Sequence, residues 1–446
     1  MKTPICDFVN EYKKNSKIRL HMPGHKGKSF LGVEGNDITE ISGADVLYNA
    51  NGIIRESEEI ASEFFGTKKT VYSAEGSSLS IRAMLYLAVL YAKENGRKPL
   101  IAAGRNAHRV FMTAAALLDF ETEWIFPQNS ENIISCNISP EYLDVFLANM
   151  SEKPTAVYIT SPDYLGNIAD IRGLSDVCKK HGALLLVDNA HGAYLNFLTE
   201  SIHPISLGAD ICCDSAHKTL PVLTGGAYLH VSENAPEFME EYAENAMSLF
   251  ASTSPSYIIM QSLDMANRYI SDGYCEKLEY CAKIISDMKK SLGNYGYDII
   301  GNEPMKIAFS AKNIGYTGEE IADILSENGI ECEFSDPDYV VMMFTPEISE
   351  DDIGRLEEIL LSLEKKEKIT LAPPIMTKPE KALSVRNAML CTSEEIDISE
   401  CEGRILASAA INCPPAIPIT VCGEIIDKNA ISCFEYYGIK KVRVVK

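Results

Sequence analysis

Two side chains carry the most specific chemistry in this chain. Lys218 ends the tetrapeptide SAHK, which follows the apolar run GADICC and one aspartate. A lysine at the end of a buried strand is costly unless it pairs or loses its charge. One way to lose the charge is a Schiff base with an aldehyde cofactor. A lone lysine at a strand end more commonly reaches solvent, so its company decides. Upstream, the run ALLLVD ends on Asp188 and is followed by NAHG. Open α/β sheets bind ligands beyond the carboxyl ends of their strands. A carboxylate there can keep a pyridine nitrogen protonated, which makes the ring of pyridoxal 5′-phosphate (PLP) a strong electron sink. An isolated Asp of this kind is as often a turn cap; a strand-end Asp followed by a strand-end Lys is far more specific.

Two further segments suit the same chemistry. EGSSLSIRAML (75–85) places Gly76, Ser77 and Ser78 where an apolar helix begins. Helix N-termini offer unpaired amides and a positive dipole to a phosphate, and the two serines add hydroxyl donors. RNAHR puts His108 just past the strand LIAA, where it can stack on a ring or move a proton at neutral pH.

The elements that must position these residues follow from periodicity. Short apolar runs at 100–103, 156–160, 183–188 and 225–231 alternate with helical stretches. Continuous apolar runs mark strands buried on both faces, as in mostly parallel α/β sheets. Leu174, Val177 and Cys178 share one helical face that Gly182 ends. A long helical stretch is expected over 257–292. Capping boxes at Thr317/Glu320 and Ser349/Asp352 precede two more helices, with Ile353, Leu356, Leu360 and Leu363 at helical spacing in the second. The charged, proline-containing run 364–381 reads as a linker. The domains expected are an N-terminal arm (1–30), a cofactor-binding large domain (31–262), a small α+β domain (263–365), a linker at about 366–381 and a C-terminal domain (382–446).

Composition excludes some classes. A formal net charge of −22 disfavours a nucleic-acid partner, which needs a basic face. The start MKTPICDFVNEYKK lacks the apolar core of a signal peptide, and the apolar stretch 83–92 is too short to span a bilayer. Thirteen cysteines with no CxxC pair read as reduced thiols. A cytoplasmic enzyme with no metal and no membrane partner is expected.

The segments SAHKTLPVLTGGAYLH, VDNAHGAY, RNAHR, TSPDYLGNIADI and STSPSYIIMQSLD resemble the Orn/Lys/Arg decarboxylase family of fold-type-I PLP enzymes. So do the N-terminal HMPGHKG and the terminal PPAIPITVCGE, and the length is similar to the short form without an N-terminal wing domain. The resemblance implies decarboxylation of arginine, lysine or ornithine, a place in polyamine biosynthesis, and a homodimer or higher homo-oligomer with TSPSY close to the partner's cofactor. It implies that Lys218 carries PLP, Asp188 pairs with the pyridine nitrogen, His108 stacks on the ring and His191 lies near it. Gly76, Ser77, Ser78, Ser215 and His217 would hold or shape the phosphate site, and Glu424 is the candidate for the substrate's distal cation. Departures from the family pattern are Glu75 in place of Asn, Ile81 in place of a polar residue, Gly225 for Gln, Ala416 for Gly and Cys422 for Pro. The alternatives are an aminotransferase or other PLP lyase, in which Arg268, Arg355 or Arg386 would grip the α-carboxylate, and a degenerate paralogue acting as a regulatory subunit.

Overall fold

The computed structural model describes the whole chain except residues 16, 128–134, 376 and 414–416, so Ala416 of the terminal motif lies outside the described residues. Two compact units emerge, Met1–Arg97 with Cys178–Lys277, and Lys98–Val177 with Leu278–Lys446. The strands expected from the apolar runs form as β1 (Lys69–Ser73), β2 (Leu100–Gly104), β3 (Glu121–Ile125), β4 (Ala156–Thr160), β5 (Leu184–Asp188), β6 (Ile211–Asp214) and β7 (Ala227–Val231). In the first unit the order is β1-β7-β6-β5. β5 and β6 run parallel, and β7 runs against both β6 and β1. In the second unit the order is β4-β2-β3, all parallel. This is the mostly parallel α/β arrangement expected, and every residue of β5, β6 and β7 is buried.

The helix Ser77–Glu94 packs on β5, β6 and β7, which explains why it is apolar almost all round. Ile81, where a polar residue was expected, is one of its buried members. The stretch 257–292 is two helices rather than one, Tyr257–Ser271 and Tyr274–Tyr295. Gly273 separates them at φ +72°, a conformation that does not continue a helix and favours glycine. At Thr317 the full capping box forms. At Ser349 the hydroxyl accepts from the Asp352 amide at 3.1 Å and donates to the Asp352 carboxylate at 2.5 Å, so the cap forms with that carboxylate turned to the hydroxyl. β8 (Asp298–Ile300), β9 (Lys306–Ser310), β10 (Phe334–Ser335) and β11 (Val340–Met343) make the small antiparallel sheet of the second unit. The C-terminal residues close on a core that includes Leu406, Ile419, Phe434 and Val444.

Near β1, buried Glu58 accepts from the Tyr72 amide at 2.8 Å. Burial lifts its carboxyl to about 8, outweighing that amide. Its unfolded pKa is about 4.3. A raised folded pKa gives stability that is complete below the unfolded value and lost as pH climbs through the folded one. Glu58→Gln should therefore flatten the fall in melting temperature between about pH 5 and about pH 8, read by thermal melts across that range.

Candidate active site

Asp188 ends β5, and its register partner on β6 is Cys213, so β5 and the chain leading to Lys218 finish side by side. The Asp188 carboxylate is buried. It accepts from the Ala190 amide at 3.2 Å and has the Cys213 Sγ at 3.6 Å. After β6 the chain makes one short helical turn, Ala216–Thr219, with the Lys218 amide donating to Ser215 O at 3.0 Å. This turn brings Lys218 Nζ to 2.8 Å from His191 Nε2. The residues expected to hold and face the cofactor's reactive end thus meet in the first unit.

The expected phosphate-binding residues lie in the same unit, and two of them, Ser77 and Ser215, meet. Gly76 is the N-cap of the helix Ser77–Glu94 and has no side chain to satisfy the first-turn amides. Its own amide donates to Gly225 O at 2.7 Å. Gly225 has φ +102°, and a Cβ there would stand 3.1 Å from Ala74 O, so glycine suits this position where glutamine was expected. Ser215 Oγ donates to Ser77 Oγ at 2.7 Å, tying the SAHK turn to the helix start. Glu75, the departure nearest this cradle, accepts from the Ser252 amide at 2.7 Å, which gives its charge a donor in the loop just before TSPSY. His217 Nδ1 donates to Gly226 O at 2.9 Å. Burial, then the Lys218 charge, push its pKa below the ordinary value despite that bond. The neutral ring therefore presents Nε2 as an acceptor.

The remaining expected residues belong to the second unit. His108 is the N-cap of the helix Arg109–Leu118, and its Nδ1 accepts from the Val110 amide at 3.3 Å. Glu424, expected to meet the substrate's distal cation, instead holds Arg105. Its two oxygens receive the guanidinium at 2.7 and 2.8 Å, and one also accepts from the Val421 amide at 2.8 Å. Both side chains are at most 5 % exposed, and the guanidinium lies 5.2 Å from the ring centroids of Trp124 and of Phe126. Cys422 is buried, with Sγ 3.4 Å from Ala407 O. Asp163 accepts from Ser135 and Asn167 at 2.7 and 2.9 Å. Among the arginines a transaminase would need, Arg386 donates to Ala116 O at 2.6 Å and Arg355 to Asn328 O.

Arg105 was not foreseen as Glu424's partner, because 319 positions separate them. Removing one member of a buried pair leaves the other charge without compensation. Glu424→Gln should cost about 3–5 kcal/mol in urea unfolding. It should also shift the Michaelis constants for arginine, lysine and ornithine by a common factor. A rise confined to one of the three, with stability intact, would return Glu424 to the substrate.

Residues 3–299 match the model of the Orn/Lys/Arg decarboxylase major domain, and residues 364–441 match that of its C-terminal domain. The chain is 29 % identical to the arginine decarboxylase of Bacillus subtilis over 96 % of its own length and 92 % of the relative's. It is 27 % identical to the arginine decarboxylase of Halalkalibacterium halodurans over the same shares of the two chains. In fold it is similar to the lysine decarboxylase of Francisella novicida, with a TM-score of 0.80 at 16 % identity, covering 100 % of this chain and 81 % of that one.

Proposed function

The chain belongs to the Orn/Lys/Arg decarboxylase family, and from that premise we propose that it removes the α-carboxylate of a basic amino acid (arginine, lysine or ornithine) as carbon dioxide, using PLP. The observation that carries the reading is the Lys218 amine 2.8 Å from His191, on the turn after the strand that lies beside the one ending in buried Asp188. The residues fit such a cofactor: an amine for its aldehyde, a buried carboxylate for its ring nitrogen, and a helix start with no capping side chain for its phosphate.

When bound, PLP supplies an electron sink for the pair left behind as carbon dioxide departs. The protein's own groups do the rest. Lys218 would hold the cofactor's aldehyde, and its amine is placed to return a proton to the α-carbon. His191 orients that amine. Asp188 holds positive charge at the ring nitrogen. Ser77 and Ser78 would furnish donors for the phosphate, while Gly76 leaves the helix start uncapped and Ser215 shapes the site by holding the Ser77 hydroxyl. His217, with Nδ1–H committed to Gly226, can donate through Nε2 only when protonated, a form that a neighbouring phosphate dianion favours. Ring stacking by His108 is part of the proposal on the strength of its family position.

A homodimer is proposed with it. In the N-terminal arm and just beyond it, Ile18, Leu20, Phe30 and Leu31 are each 78–90 % exposed, a set of apolar side chains that a second copy would cover. Sedimentation at micromolar concentration should give a dimer or larger, and a stable, active monomer would contradict it.

The test of the activity is a screen of purified, PLP-loaded protein against the common amino acids for carbon dioxide and amine. Arginine, lysine or ornithine should yield both. Keto-acid formation without carbon dioxide would point to a transaminase, and silence with every amino acid to a degenerate paralogue.

A further inference from the structure

Beneath the turn that carries Asp188 and His191 lies a polar cluster that the proposed reaction does not use. Asp214, His203 and His230 are fully buried, and their ligand-type atoms lie within 4.8 Å of one another. Asp214 Oδ2 is 3.0 Å from His203 Nε2 and 3.2 Å from His230 Nε2. Its Oδ1 accepts from Asn189 Nδ2 at 2.7 Å. Two imidazoles and a carboxylate this close have the composition of a metal site.

The outer nitrogens argue otherwise. The Ile205 amide donates to His203 Nδ1 at 3.4 Å, so that nitrogen carries no proton and Nε2 must carry one. His230 Nδ1 lies 2.9 Å from the Thr70 hydroxyl, itself 2.8 Å from Thr67. Burial keeps the His230 ring from taking a second proton, although Asp214 opposes this. The ionised Asp214 carboxylate can only accept, so the His230 Nε2 facing it carries that ring's proton; both Nε2–H groups then point at one carboxylate, where a metal would need bare nitrogens. Three donors surround an ionised Asp214, which is how a buried carboxylate is kept charged.

The third donor leads to the active site. Asn189 directly follows Asp188. Its amide donates to Cys213 O at 3.0 Å, and its carbonyl receives the Gly192 amide at 2.8 Å. Gly192 packs so closely that a Cβ there would sit 2.1 Å from Asn189 Oδ1. The turn 188–192, with Asp188 at one end and His191 reaching Lys218, is therefore seated on the Asn189 side chain. We infer that Asp214, held by the Nε2–H groups of His203 and His230, is a positioning residue that acts through Asn189 to fix Asp188 and His191, and that the cluster binds no metal. The inference rests on the roles proposed above for Asp188 and Lys218, but its first test does not.

That test is ¹⁵N imidazole NMR of the cofactor-free protein with metal analysis. His203 and His230 should both show the Nε2–H tautomer, and His230 should stay neutral from about pH 6 to about pH 8, with no stoichiometric metal. Titration of His230 in that range, bare Nε2 atoms on either ring, or zinc-dependent shifts would overturn it. Asn189→Leu should displace the His191 resonances in the same sample, and unmoved His191 signals would also overturn it. In the loaded enzyme, Asp214→Asn and Asn189→Leu should each lower kcat roughly tenfold or more, with KM nearly unchanged. The double variant should fall no further than the worse single one. Unchanged kcat in a folded variant, or losses that multiply, would contradict action through Asn189. Should Asp214→Asn not fold, Asn189→Leu and the NMR decide alone. An inactive parent with the expected NMR would count against the enzyme reading and leave the cluster's structure standing.

Discussion

Lys218→Ala should give a folded, colourless protein with no measurable carbon dioxide release. The side chain is half-buried and ends at His191, so its removal opens little core and leaves the melting temperature close to the parent's. Turnover should fall on the order of a thousandfold or more, because no other amine takes over both the attachment of the cofactor and the return of the proton. The visible absorbance of the lysine-bound cofactor should vanish with it. Absorbance, melting curve and carbon dioxide assay on one preparation check the three parts together. A coloured, active variant would move the attachment to another lysine.

Asp188→Asn should keep the cofactor and lose most of the rate. The carboxylate is buried at the end of β5, where its charge faces little competing solvent. The neutral amide is nearly the same size but cannot balance a positive ring nitrogen. The loss should resemble that of other preorganised electrostatic groups, about 10²–10³-fold in kcat. Because binding through Lys218 and the phosphate donors is untouched, the cofactor should co-purify. Near-parental kcat would mean that another group holds the ring nitrogen.

The arrangement of Asp188 and Lys218 in the first unit was readable in the sequence for a physical reason. Strands buried on both faces leave continuous apolar runs, so ALLLVD and GADICC announce β5 and β6 and fix where Asp188 and Lys218 emerge. The Gly-Ser-Ser helix start is a local signal too, since unpaired amides belong to the helix end itself. Longer-range features were not readable. Glu424 reads as a strand-end carboxylate until Arg105 is brought against it, and the same holds for Glu75 and the Ser252 amide. His203 and His230 lie 11 and 16 positions from Asp214 and share no helix or strand with it, so no local periodicity relates the three. The break at Gly273 was legible in principle, but apolar periodicity on both sides of it suggested one helix.

The most direct measurement is borohydride trapping of the PLP-loaded protein followed by proteolysis and mass mapping. The expected result is one phosphopyridoxyl group per chain, on the peptide containing SAHK and at Lys218. Label on another lysine, or none above background after loading with PLP, would contradict the assignment of Lys218 as the cofactor-bearing residue.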